Sequence, residues 1–320
     1  MTLDMVYDIV LQNVELTDPG DGTLFNIGIN GSTIGYVGTE PVAGREVIDG
    51  RNHLAVPGWV NAHTHVAMTL FRSYADDMAL MDWLQNRIWP LEARLDGRAV
   101  YWGSLLGIAE MIRTGTTCFA DMYFFMEETA KAAADSGIRA VLSRGLTGSS
   151  VADGAARLEE NTQLYKTWNG AQNGRITVMF GPHAPYTCSP DYLKSVIARA
   201  RELGAEIHMH LSETAGEVAD CRKQYGKSPI ALMEELGMFD GGTLAAHCVH
   251  VDEEDMDIMA RHGVRVAHNP QSNLKLASGI APVARMLEKG ITVGLGTDGA
   301  SSNNNLDMLE EVRLAAMLAN

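Results

Sequence analysis

The chain has 320 residues, 46% of them apolar and 20% charged, and its 25 lysines and arginines against 40 aspartates and glutamates leave a formal charge of −15. A surface this acidic repels phosphate backbones and anionic lipid, which argues against nucleic-acid and membrane partners, and no run approaches the roughly 18 apolar residues of a spanning helix. The opening MTLDMVYDIV carries Asp4 and Asp8 and no basic residue, unlike a signal peptide, and Cys118, Cys188, Cys221 and Cys248 form no CxxC pair, so free thiols in a reducing, cytoplasmic compartment are expected.

Residues 1–56 hold short β-rich runs (DIVLQNVELTD, TLFNIGINGSTIGYVGTE, REVIDGRNHLAV) punctuated by turn signals at Pro19-Gly20-Asp21-Gly22, Asn30-Gly31 and Asp49-Gly50. No helix-period segment intervenes, which predicts a small antiparallel β element. From residue 57 to 320 the pattern changes to short apolar strands alternating with longer helical segments. Eight strand-like runs end near His65, Asp121, Arg144, His183, His210, His247, His268 and Asp298. Their spacing leaves room for a crossover helix between parallel strands, with extra helices over 76–113 and a last helix over 306–319. Eight βα units in succession predict an α/β fold, a TIM-like (β/α)8 barrel. An open doubly wound sheet has the same strand count but scatters its strand ends, whereas a barrel gathers the polar residues found at these ends around one mouth.

Four segments carry chemistry. In PGWVNAHTH (57–65), His63 and His65 are two apart, so on a strand both imidazoles share a face. In IHMHLSET (207–214), His210 precedes Glu213 by three residues; TLAAHCVH (243–250) carries His247, and ITVGLGTDG (291–299) ends near Asp298. Three imidazoles and a carboxylate suit one divalent ion of borderline softness, Zn²⁺ or Fe²⁺. An open coordination position would let it activate water, and Glu213 is placed to pass protons. His208 has the parity of His210 but sits one layer deeper, where a hydrogen-bonded core histidine is expected. Surface roles are expected for His250 and His262, and a structural one for His53.

Together these residues resemble the amidohydrolase superfamily, in its cytosine- and adenosine-type deaminase and chlorohydrolase branch, and within it the 5′-methylthioadenosine/S-adenosylhomocysteine deaminase family. The resemblance spans the whole chain and is carried by PGWVNAHTHVAMTLFRSYADD, DWLQNRIWPLEARL, GPHAPYTCSP, HLSETAGEV, VAHNPQSNLKLASGIAPV and GTDGASSNNNLDM. It implies a metal-dependent hydrolase barrel over 57–320, with 1–56 as the N-terminal part of a small β-sandwich domain that a C-terminal tail, absent here, normally completes. It implies His63, His65, His210 and Asp298 as ligands of one divalent metal, typically zinc. Glu213 matches the proton-shuttling glutamate and His247 the histidine beside the activated water, so Glu213, His247 and Asp298 are the expected catalytic residues. Glu92 matches the carboxylate that holds ribose hydroxyls, Arg144 and His183 match further substrate contacts alongside Glu213 and Asp298, and Trp83 matches an aromatic on the thioether side. From spacing alone, Glu92 reads rather as a solvated helix face, Trp83 and Trp89 equally as helix core, and Arg144 as half of a structural salt bridge.

The resemblance implies hydrolytic deamination of an adenine-type nucleoside (5′-methylthioadenosine, S-adenosylhomocysteine, with adenosine a further candidate) to the inosine-type product and ammonia. The alternatives are a hydrolase of the same branch acting on another heterocycle, such as a guanine deaminase or a triazine chlorohydrolase, and a non-catalytic barrel module. The partner expected is a small nucleoside; homo-oligomerisation stays open.

Overall fold

The structure, a computed structural model, describes residues 6–319; the segment carrying Asp4 lies outside them. The chain divides between Gly58 and Trp59 into two compact units. The first unit is one five-stranded sheet of β1 (Val6–Leu16), β2 (Leu24–Asn30), β3 (Thr33–Gly38), β4 (Ala43–Asp49) and β5 (Leu54–Ala55), in the order β3-β2-β1-β4 with β5 also on β1. β2 and β3 form the hairpin expected at Asn30-Gly31, pairing Asn30 with Thr33. β4 and β5, however, run parallel to β1, so the sheet is mixed and not antiparallel. The reason lies at Asp49-Gly50, which makes no hairpin. The Gly50 N–H donates to Gln12 O at 2.7 Å, and a Cβ there would sit 2.8 Å from the Val14 Cβ. That glycine serves a close approach along β1, and the chain carries on in the same direction.

The second unit is a closed parallel barrel. Its strands are β6 (Trp59–Thr64), β7 (Thr116–Tyr123), β8 (Arg139–Leu146), a fourth strand split into β9 (Ile176–Val178) and β10 (Gly181–Pro182), β11 (Ile207–Leu211), β12 (Thr243–His247), β13 (Arg265–His268) and β14 (Val293–Leu295). All their pairings are parallel. The fourth strand breaks where Asn161, on the helix Val151–Trp168, enters the ladder: its amide donates to Met179 O at 3.0 Å and its carbonyl accepts from Arg144 N at 3.0 Å. Beyond the break, Phe180 N donates to Glu206 O, and His208 N and His210 N donate to Phe180 O and His183 O, joining the two arcs.

Crossover helices follow the strands, among them Gly97–Arg113, Met126–Ser136, Val151–Trp168, Pro190–Leu203, Ala215–Tyr225, Glu253–His262 and Met308–Leu318. Ser150, Ser189, Thr214 and Asp252 cap four of them by accepting a backbone N–H two or three residues on, each cap contributing about 1 kcal/mol. Phe180, Tyr192, Val196 and Met209 on one side, and Ile108, Met111, Phe119 and Leu142 on the other, fill the layer between sheet and helices. The long first connection holds short helical turns at Leu80–Trp83 and Trp89–Glu92 with a wide π-type turn over Leu84–Ile88 between them. Among the described residues, no helix is long and apolar enough to cross a membrane.

The barrel closes between its last and first strands. Asp298 N donates to His63 O at 3.0 Å, Thr297 N donates to Asn61 Oδ1 at 3.0 Å, and Asn61 Nδ2 donates to Thr297 Oγ1 at 2.7 Å. Gly296 lies in this seam, where a Cβ would fall 2.7 Å from His63 N and 2.5 Å from Asn269 Oδ1. Backbone cannot yield there as a flexible side chain would. Gly296→Ala is therefore expected to lower the unfolding free energy by about 1–3 kcal/mol, measured by denaturant titration; an unchanged midpoint would show that the seam tolerates the methyl group.

Candidate metal centre and active site

The period-2 alternation of β6 sends Asn61 and His63 inward, and His65 follows on the same side just beyond the strand end. The penultimate residue of β11 contributes His210, and Asp298 follows β14 in a left-handed conformation (φ 59°). Four atoms converge there. Asp298 Oδ1 lies 3.4 Å from His63 Nε2 and 3.1 Å from His65 Nε2, and His210 Nε2 lies 3.3 Å from His65 Nε2. The opposite atom of each group is tied down. Asp298 Oδ2 accepts from Ser272 Oγ at 2.6 Å and Ser302 Oγ at 2.8 Å. His65 Nδ1 donates to Met122 O, and His210 Nδ1 donates to His183 O at 2.7 Å. His63 Nδ1 faces His208 Nε2 at 2.8 Å.

His63 Nε2 and Asp298 Oδ1 are buried with no hydrogen-bond partner. Unpaired buried polar atoms are unfavourable, and a cation would satisfy both at once. Imidazole nitrogen and carboxylate oxygen are the donor types of a zinc-like ion, so the residues fit a metal. Without one they compensate each other. Burial opposes the charge on His65, but the Asp298 carboxylate, the Met122 carbonyl and Asp121 together outweigh it and lift its pKa to about 9. Burial also works against ionisation of Asp298, yet His63 and His65 hold its carboxyl well below the usual range. Burial pushes His63 down to about 4 and His208 and His210 well below the ordinary imidazole value.

A cavity of about 700 Å³ opens over these ligands, lined by His65, His210 and Asp298 at its floor and by Glu213 and His247 beside them. Glu213 follows Ser212, itself left-handed (φ 52°). The N–H groups of both residues donate to the buried Glu217 carboxylate, at 2.9 and 2.8 Å, which fixes the turn. Glu213 Oε1 accepts from Ser278 Oγ at 3.3 Å, and Oε2 lies 3.8 Å from His247 Nε2. Burial raises the Glu213 pKa. His247 and Cys248 are both left-handed at the end of β12 (φ 72° and 47°). That bend aims the His247 ring across the site, stacked on His210 with centroids 5.6 Å apart. Its Nδ1 donates to Asn273 Oδ1 at 2.8 Å, leaving Nε2 bare toward Glu213.

Glu92, Trp83, Arg144 and His183 line the same cavity. Glu92 is half-buried in its wall, so the alternative of a solvated helix face falls away; burial raises its pKa, and it faces the Tyr123 hydroxyl. Trp83 is buried with its indole Nε1 unpaired. His183 Nδ1 donates to Thr187 Oγ1 at 3.0 Å, directing Nε2 to the cavity. Arg144 is divided between two roles. It reaches the cavity, but its Nε donates to Glu160 at 2.7 Å, its Nη1 donates to Gly145 O, and the guanidinium lies 5.0 Å over the Phe124 ring.

His268 departs from the strand-end pattern. It shares the parity of Val266, whose side chain packs in the outer layer, so it lines a separate cavity of about 310 Å³ with Ile280, Pro282 and Arg285. His250 is half-buried and not on the surface, with Nε2 donating to Ser278 O at 2.6 Å, while His262 pairs with Glu234 at 3.0 Å. Glu217, Asn273, Ser272 and Ser302 were not apparent as site residues from sequence. The Thr214-x-x-Glu217 spacing of a helix capping box is the one local signal that pointed to any of them. Glu217→Ala would strand two buried N–H groups, each worth about 1–3 kcal/mol. Its unfolding free energy, measured by denaturant titration, is expected to fall by about 2–5 kcal/mol, and a drop within error would mean that water replaces the carboxylate.

Residues 54–320 match the sequence model of the Amidohydrolase family. The chain is 59% identical over 272 residues to the 5-methylthioadenosine/S-adenosylhomocysteine deaminase of Dictyoglomus thermophilum, covering 85% of this chain and 64% of that protein. It is 50% identical over 317 residues to the protein of the same name from Caldanaerobacter subterraneus subsp. tengcongensis, covering 97% and 73%. The chain thus spans about two thirds of the length of the curated relatives it matches. Among solved structures, an adenosine deaminase from Xanthomonas campestris with bound zinc superposes with a TM-score of 0.91 at 35% identity, over 98% of this chain and 74% of that one. A family match that takes in the whole barrel places this chain in the amidohydrolase family.

Proposed function

We propose that this chain carries the active site of a zinc-dependent deaminase acting on adenine-type nucleosides, with the thioethers 5′-methylthioadenosine and S-adenosylhomocysteine as the substrate class. The observation that carries the reading is one cavity lined by His65, His210 and Asp298, three of the four converging groups, together with Glu213, His247, Glu92 and Trp83. A bare heterocycle has no need of a half-buried carboxylate in the cavity wall, and the names of the relatives point the same way.

His63, His65, His210 and Asp298 would hold the ion, which supplies Lewis-acid activation of water at neutral pH. Asp298 Oδ1 takes a proton from the attacking water. His247 Nε2, left bare by the bond from Nδ1 to Asn273, accepts a hydrogen bond from the same water and orients it toward purine carbon 6. Glu213, whose burial favours the protonated carboxyl, donates its proton to the adjacent ring nitrogen, so negative charge does not build up on the ring. As the adduct collapses, Asp298 passes the proton it took to the departing amine, which leaves as ammonia, and the carbon-6 hydroxyl returns its proton to Glu213 as it becomes the carbonyl. Glu92 accepts hydrogen bonds from the ribose hydroxyls, His183 Nε2 contacts the base or sugar, and Trp83 packs on the thioether side. Arg144 takes the amino-acid carboxylate of the longer substrate, in competition with its ion pair to Glu160.

Ammonia release from 5′-methylthioadenosine, S-adenosylhomocysteine, adenosine, guanine and a chlorotriazine tests the reading. Turnover of the thioether nucleosides with little on guanine is expected. Activity on guanine or the triazine alone would move the chain to another ring chemistry, and silence with zinc bound would withdraw the deaminase assignment. Glu213→Gln is expected to keep its zinc and lose about 10²- to 10⁴-fold in turnover. Glu92→Ala is expected to lower kcat/KM for nucleosides by about tenfold to a hundredfold; near-normal values would show that no ribose reaches it.

A further inference from the structure

We propose that His208 is a positioning residue of the metal centre, which holds His63 in the one tautomer able to bind a metal through Nε2. The inference rests on His63 being a ligand, as proposed above.

The direction of the hydrogen bonds follows from a fixed end. Asp121 O is a carbonyl and can only accept, so the hydroxyl of Ser143, 2.9 Å away, donates to it. With its single proton committed, Ser143 Oγ can only accept from His208 Nδ1, at 3.4 Å. His208 therefore carries its proton on Nδ1. A neutral imidazole has one N–H, so His208 Nε2 is bare, and at 2.8 Å it must accept from His63 Nδ1. His63 Nε2 is thereby left free of hydrogen, facing Asp298 Oδ1 and the other ligand atoms.

A chain of three bonds, from His63 through His208 and Ser143 to a backbone carbonyl, thus runs in one direction only. Every member is buried, so no bulk water competes for these bonds. The rings of His63 and His208 stand nearly perpendicular, at 88° with centroids 4.9 Å apart, and meet edge-on through Nδ1 and Nε2 at 2.8 Å. His65 and His210 lean on the backbone carbonyls of Met122 and His183. Of the three imidazoles, His63 is the one whose outer partner is a side chain, so a substitution at His208 can change metal affinity through it. β11 thus supplies two histidines of one parity with different work: His210 faces the ion and His208, one layer below, braces His63.

Zinc affinity of the full chain, measured by competition with a chromophoric chelator, tests this in wild type, His208→Leu, His208→Gln and Ser143→Ala. His208→Leu, which fills the space without an acceptor, is expected to bind zinc about 10- to 100-fold more weakly. His208→Gln, whose amide oxygen can take the same N–H, is expected to retain most of the affinity, and Ser143→Ala to fall between. Wild-type affinity in the leucine variant would overturn the proposal, as would equal losses in the leucine and glutamine variants. ¹⁵N-histidine NMR of the zinc-loaded wild type needs no variant to fold: His208 should carry its proton on Nδ1, and a proton on Nε2 would overturn the assignment. A wild-type chain that binds no zinc would instead sink the metal reading itself, a failure that affinity differences among variants cannot mimic.

Discussion

The site depends on one constraint: each of the four converging groups is oriented by a bond on its far side. Asp298 is held by two hydroxyls, His65 and His210 by backbone carbonyls, and His63 by a second imidazole. Free imidazoles and a free carboxylate at these distances would rotate to pair with one another. Tied from behind, they leave buried Nε2 and Oδ1 atoms unsatisfied and converging, an arrangement that loses stability without a cation and gains it with one. The barrel seam is part of the same device, because the backbone bond from Asp298 to His63 closes the sheet and sets the distance between first and last ligands.

The same economy shapes the chemistry above the floor. Left-handed turns at Ser212, His247 and Asp298 follow three strand ends and aim Glu213, His247 and Asp298 at the mouth. Such conformations are unfavourable for residues other than glycine and persist where the surroundings over-determine them. The buried Glu217 carboxylate does so for Ser212 and Glu213, and Asn273 does so for His247. Burial then raises the Glu213 pKa, which suits a group that must hold a proton and give it up.

Much of this was legible in the sequence because it is periodic. Two histidines two apart on a strand share a face, and polar residues at the ends of eight spaced apolar runs make sense only around a common mouth. That reasoning located the barrel strands and singled out His63, His65, His210 and Asp298, whose side chains lie together in the structure. It erred where parity, not position, decides: His268 ends its strand but points outward with Val266 into the helix layer. It also could not see bonds between segments distant in sequence. Ser272 and Ser302 behind Asp298, Ser143 behind His208, and the pairing of Arg144 with Glu160 leave no local pattern. The parallel course of β4 and β5 was hidden for a related reason, since Asp49-Gly50 has a turn signature but is used for close approach to Val14.

The most direct test of the account is anomalous diffraction at the zinc edge from crystals of the zinc-loaded chain. One peak per chain is expected, about 2.0–2.2 Å from His63 Nε2, His65 Nε2, His210 Nε2 and Asp298 Oδ1, with the bonds behind each ligand intact. A peak coordinated instead by His247 or Glu213, or ligation through an Nδ1 atom, would contradict the claim that these back-side bonds preset the metal centre.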